Sequence, residues 1–147
     1  MNKKGFTLVE LLAVIAILAI LVIMALPAVL SMFTKARVDT FQNEVRTIYR
    51  TAQQQYILGG GASVTYGNNY SSTIPSGKKC NVLEMTGNAN LKYYITIDGS
   101  GKVTRLMATN GTYNYDSTAV TDLQINDIEV DASTGAVTPT NCPLIDQ

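Results

Sequence analysis

The chain has 147 residues, with eleven basic and eleven acidic side chains, two cysteines and no histidine. Zero formal charge offers no strongly basic face for nucleic acid and no acidic tail, and the lack of histidine removes imidazole catalysis and the commonest metal ligand. The length fits one domain, or one small domain with an appended element.

The average conceals a sharp asymmetry. Met1-Asn2-Lys3-Lys4-Gly5 is short, basic and polar, and Phe6-Thr7-Leu8-Val9-Glu10 leads into an apolar run from Leu11 to Leu30 without one charged residue. Twenty residues of helix span about 30 Å, the thickness of a bilayer's hydrocarbon core. The run is too long for an ordinary secretory signal, whose apolar stretch is about 7–15 residues. Flanking charge is indecisive for orientation, since Lys3 and Lys4 stand at one end and Lys35 and Arg37 at the other. A long C-terminal domain tends to translocate regardless of charge, which places the N-terminus in the cytoplasm. Pro27 lies inside the run and frees the carbonyl of Ile23, so the helix should kink or loosen there.

Helical periodicity continues beyond the apolar run. Val38, Phe41, Val45, Ile48, Ala52 and Tyr56 form one stripe at spacings of three and four, between charged and polar residues such as Lys35, Arg37, Asp39, Glu44, Arg46 and Arg50. Gly59-Gly60-Gly61 stops the helix. The sequence thus predicts one helix from Phe6 to Leu58, about 80 Å long, whose second half needs a packing partner.

From Ala62 to Asn90 no period is evident, and the segment reads as a long loop with a short helical turn over Asn81–Met85. Alternation over Leu91–Ile97 predicts a strand, Asp98-Gly99-Ser100-Gly101 a turn, and Val103–Thr109 a second strand. Asn110-Gly111 reads as a two-residue hairpin turn into Thr112–Asp116. Ile128–Val130 and Ala136–Thr138 frame a further hairpin. The expected fold class is α+β, a long N-terminal helix packed on a small antiparallel sheet of four or five strands.

Little of the polar chemistry points to catalysis. The acidic residues are dispersed and no pair suits general acid–base work, so no enzyme and no cofactor is expected. Asp98-Gly-Ser-Gly has part of a calcium- or phosphate-loop pattern without the full ligand spacing, and a hairpin turn is the better reading. Asn69-Tyr-Ser and Asn110-Gly-Thr match the glycosylation triplet, a pattern that chance supplies often. Cys80 and Cys142 lack CxxC spacing; if the polar part is exported, they suit a disulfide, the alternative being two unrelated buried thiols. Such a bridge would stabilise by about 4 kcal/mol in the chain-entropy account.

Glu10 is the one residue whose position demands a reason, because a carboxylate in a membrane helix costs about 2.5–3.5 kcal/mol or more. In one reading it lies at the interface and reaches the head groups. In the other, cleavage of the Gly5–Phe6 bond creates a free amine on Phe6, four residues away, that neutralises Glu10 within one helix or between neighbouring helices and so sets their register.

Lys3-Lys4-Gly5-Phe6-Thr7-Leu8-Val9-Glu10-Leu11-Leu12 resembles the class III signal of type IV prepilins and pseudopilins. The resemblance implies that a membrane peptidase cuts after Gly5 and methylates the new amine of Phe6. It also implies that Glu10 pairs with a neighbouring subunit's amine and that Pro27 occupies the family's proline position. It divides the chain into a leader (1–5), a transmembrane and assembly helix (6–33) and a globular head (34–147), with a C-terminal segment tied down by Cys80–Cys142. That bridged segment is longer than in many family members. The implied function is a structural subunit of a type IV pilus, membrane-inserted as a precursor and then extracellular, with copies of itself, the prepilin peptidase and the assembly machinery as partners. A minor pilin, or a pseudopilin of a type II secretion or competence system, is the alternative. A sortase-built pilus would need an LPxTG-like signal and a hydrophobic C-terminal tail, and this sequence has neither.

Overall fold

The computed structural model describes residues 6–70, 72–87, 89–117 and 141–146. The chain divides between Arg37 and Val38 into two compact units. A single helix, α1 (Leu8–Leu58), contributes to both.

In the first unit every described residue from Phe6 to Arg37 is exposed. This stretch carries the one described helix long and apolar enough to cross a membrane. The helix begins two residues later than the sequence reading placed it, because Thr7 takes the capping position. It runs on through Pro27 without a break. The two hydroxyls just beyond are satisfied along the helix, Ser31 Oγ donating to the Ala28 carbonyl and Thr34 Oγ1 to that of Leu30.

The second unit buries the expected stripe. Phe41, Val45, Ile48 and Ala52 are fully buried, with Val38 and Tyr56 packed partly against the same core. The helix stops at the glycines: Gly60 and Gly61 take φ of 85° and 79°, and the Gly59 and Gly61 amides return to the carbonyls of Gln55 and Tyr56. The Tyr56 hydroxyl lies 2.7 Å from the Gly61 carbonyl and 2.9 Å from that of Gly99, fastening the helix end to a sheet turn.

Four antiparallel strands form the main sheet: β1 (Val64–Gly67), β3 (Lys92–Ile97), β4 (Val103–Thr109) and β5 (Asn114–Ser117), in the order β1-β3-β4-β5. One face supplies Tyr66, Tyr93, Ile95, Ile97, Val103, Leu106 and Ala108 to the core shared with α1. A register shift between Thr96 and Ile97 sets Ile97 opposite Val103 rather than Thr104. This bulge turns both apolar side chains inward, where strict alternation would expose one. The adjoining turn is the expected one. Asp98 Oδ1 accepts hydrogen bonds from the Ser100 hydroxyl and from the Ser100 and Lys102 amides, and these bonds hold the carboxyl below its ordinary range.

Three expectations are corrected. The supposed loop Ala62–Asn90 contains β1 and a further strand, β2 (Lys78–Cys80). Asn81–Met85 forms no helical turn; the Leu83 amide instead donates to the Tyr93 hydroxyl at 2.8 Å, which holds the segment against the sheet. The Asn110-Gly111 connection is longer than two residues, since Thr109 pairs with Asn114. There Asn110 Oδ1 accepts from the Thr112 and Tyr113 amides and closes a four-residue loop. The hairpin expected over Ile128–Val130 and Ala136–Thr138 lies outside the described residues.

Beside the main sheet, β2 pairs with β6 (Leu144–Asp146) as a two-stranded ribbon. The Cys80–Cys142 disulfide joins them, with Cα atoms 5.5 Å apart. The Asn81 amide donates to the Pro143 carbonyl, the Asn81 side chain donates to the Thr65 carbonyl, and the Cys142 amide reaches the Asn69 carbonyl at 2.7 Å. Gly67 leaves room for this arm, because a Cβ there would come within 3.2 Å of the Cys142 Cα.

Two outcomes follow for the full chain in detergent. Gly67→Ala should lower head stability by about 1–3 kcal/mol through overpacking against Cys142, and a chemical denaturation midpoint equal to wild type would contradict the close contact. Asp98 is depressed in the folded state, so its contribution is complete above the ordinary value of 3.8 and declines as pH falls through the lower folded value. Asp98→Asn should therefore shrink the loss of melting temperature between neutral pH and about pH 3; an unchanged difference would remove Asp98 from the acid response.

Candidate functional site

The N-terminal turn of α1 gathers the residues that the sequence singles out. Phe6 lies outside the helix and is 81% exposed, and the helix begins at Leu8. The Gly5–Phe6 bond therefore precedes the helix in the chain; Gly5 itself lies outside the described residues. Thr7 caps the helix: its Oγ1 accepts from the Glu10 amide at 3.2 Å, while Glu10 Oε2 accepts from the Thr7 amide at 2.9 Å and from the Thr7 hydroxyl at 2.8 Å. The arrangement is a reciprocal capping box, which satisfies two backbone donors that a helix start otherwise leaves open.

This geometry bears on the carboxylate's cost. A carboxylate beside an apolar helix is stabilised by each donor turned on it, and here two donors come from its own chain. Both converge on Oε2. Among the described residues no hydrogen bond is made to Oε1. Sequence reasoning singled out Glu10 and overlooked Thr7. The signal was present, since a threonine followed three residues later by a glutamate and then an apolar run is the capping-box pattern.

The other singled-out residues lie elsewhere. Pro27 is in the exposed apolar part of α1. Cys80 and Cys142 are brought together in the second unit, where Cys142 is buried. The structure thus pairs Glu10 with Thr7 and Cys80 with Cys142, and each pair serves a different unit.

Residues 1–26 match a family model described as the prokaryotic N-terminal methylation motif. No curated protein and no solved structure shows a significant match to the chain. The motif supports a type IV pilin-like prepilin, and the long N-terminal helix packed on an antiparallel sheet is consistent with the pilin fold. The motif supports processing by a prepilin peptidase, and the apolar helix fits a membrane-anchored precursor.

The cap yields a separable test. Thr7→Val removes the hydroxyl that both accepts from the Glu10 amide and donates to its carboxylate, whereas Thr7→Ser keeps it. Loss of an N-cap costs about 0.5–2 kcal/mol. In detergent, amide exchange at Glu10 and Leu11, whose amides bond to Thr7, should accelerate about three- to tenfold in Thr7→Val and stay near wild type in Thr7→Ser. Equal protection in all three proteins would show that the cap does not hold this turn.

Proposed function

We propose that the mature chain is a structural subunit of a type IV pilus, cut between Gly5 and Phe6, methylated on the Phe6 amine and polymerised through its N-terminal helix. It has no enzymatic role in this reading. The observation that carries it is the methylation motif over residues 1–26, joined to a helix whose apolar first part is exposed throughout. An apolar helix face of that extent needs lipid before assembly and neighbouring helices after it.

The head belongs outside the cytoplasm in this reading. Its Cys80–Cys142 bridge needs an oxidising compartment, which agrees with an N-terminus held in the cytoplasm and a translocated head. Glu10 then acts in assembly. Near the membrane face its carboxylate is partly hydrated and held by Thr7. Within a core of packed apolar helices that hydration is lost, and the Phe6 amine of a neighbouring subunit supplies the countercharge. Pairing the two groups favours one register between helices over the others.

Processing is tested by intact-mass analysis of sheared surface filaments. The expected protein begins at Phe6, carries one added methyl group and retains 142 of the 147 residues. A mature chain starting elsewhere would overturn the cleavage assignment. A chain that is processed and yet stays in the membrane, absent from surface filaments, would replace the pilin by a pseudopilin of a secretion or competence system. Assembly is tested with Glu10→Val, which removes a costly charge and should leave membrane insertion intact. Filament yield should fall roughly tenfold or more, since breaking a buried charge pair costs about 3–5 kcal/mol. Normal filament numbers would make Glu10 a merely interfacial residue.

A further inference from the structure

The loop between β4 and β5 carries Asn110-Gly111, a pair in which nothing on the second residue shields its backbone nitrogen from the preceding carboxamide. In the reaction open to such a pair, the Gly111 nitrogen gives up its proton to base and bonds to Asn110 Cγ. The Cγ–Nδ2 bond breaks and ammonia leaves. Water then opens the five-membered imide at one carbonyl or the other, giving aspartate or isoaspartate. Water and hydroxide are the only co-reactants, and no oxidant or reductant is needed.

The loop restrains both reacting groups. The Gly111 amide donates to Thr109 Oγ1 at 3.1 Å, so the proton that must be lost is engaged. Asn110 Oδ1 accepts from the Thr112 amide at 3.0 Å and the Tyr113 amide at 2.9 Å, so the carboxamide is turned toward the far side of the loop. Thr109 is buried. Its hydroxyl lies 2.6 Å from Asn114 Oδ1 and 3.1 Å from the Tyr113 carbonyl. With its proton directed to those acceptors, a lone pair remains for Gly111. Attack on Cγ requires the carboxamide to leave two donors and the Gly111 nitrogen to leave Thr109, which amounts to opening the turn.

We propose that Asn110-Gly111 is a latent deamidation site, silent while Thr109 holds the β4–β5 turn closed and reactive when that turn opens. Conversion is irreversible and disruptive. Isoaspartate routes the main chain through its side-chain carbons and so lengthens a loop whose ends are fixed by the Thr109–Asn114 pairing. It also removes the Oδ1 acceptor that organises the turn. Each opening of this end of the sheet thereby carries a chance of permanent damage to β5, and the site limits the chemical lifetime of the head. The inference is independent of whether the subunit serves a pilus or a secretion system.

The test follows conversion at Asn110 by peptide mapping of the purified full chain, held at mildly alkaline pH in detergent. The folded protein should convert at least roughly tenfold more slowly than the same chain reduced and unfolded in denaturant, as expected for a reaction gated by local opening. Thr109→Val should raise the folded-state rate about five- to tenfold, the gain in open population that follows loss of a buried hydrogen bond, and Thr109→Ser should stay slow. Equal rates in the folded and unfolded wild-type chain would overturn the proposal, as would a folded Thr109→Val that converts at the wild-type rate. Should Thr109→Val fail to fold, hydrogen exchange at the wild-type Gly111 amide decides. Slow exchange supports the closed turn, and exchange at the rate of a free peptide overturns it.

Discussion

The burial of one side of α1 against the sheet is the interaction on which the head depends. Phe41, Val45, Ile48 and Ala52 are fully buried, and the strands meet them with Ile95, Ile97, Leu106 and Ala108. Phe41 also lies against Tyr113, their ring centroids 6.0 Å apart, so even the β4–β5 loop is anchored to the helix. Burying the phenylalanine, valine, isoleucine and leucine side chains among these is worth about 1.5–3 kcal/mol each, well above the exposed ion pair between Lys78 and Asp146, which belongs to a class worth about 0–1 kcal/mol. Apolar burial therefore decides the fold of the head, and the surface charges have little part in it. The same helix supplies in its earlier residues the exposed apolar surface that defines the other unit, so one continuous element answers to two solvents.

The disulfide arm solves a different problem. β2 and β6 are three residues each and form a ribbon too short to stand alone. The Cys80–Cys142 bridge spans 62 residues of sequence, and closing a loop of that size restricts the unfolded chain by about 4 kcal/mol in the chain-entropy account. Asn81 stitches the ribbon to β1, and Gly67 leaves the space in which Cys142 sits.

Legibility followed locality. The helix, its glycine stop, β4 to the residue and the Asp98 turn were all readable, because each is specified by a run of adjacent residues with one period or one turn chemistry. β1 escaped because Val64-Thr65-Tyr66-Gly67 is four residues long and runs into Asn68-Asn69, which looks like loop. Its strand character comes from pairing with β3, about thirty residues on. Among the described residues β2 pairs with β6, a partnership that no local pattern announces. The Asn110-Gly111 turn was misread in length because Tyr113 is taken by the core rather than by the strand ladder. At the N-terminus the chemistry of Glu10 was legible from its isolation in an apolar run, whereas Thr7 was hidden by being read as part of a motif instead of as a cap.

A lone carboxylate in an apolar helix is the feature that the assembly account must explain, and its partner can be observed directly. Filaments would be assembled from two subunit pools, one labelled with nitrogen-15 at the Phe6 amine and the other with carbon-13 at the Glu10 carboxyl, and examined by solid-state magnetic resonance. Because the labels sit on different chains, any dipolar contact reports a neighbouring subunit. The account predicts a strong nitrogen–carbon contact at about 3.5 Å, as follows from an N···O ion-pair distance of about 2.8 Å, together with an ionised carboxyl signal. A protonated Glu10 carboxyl without contact to the Phe6 nitrogen of another subunit would contradict it.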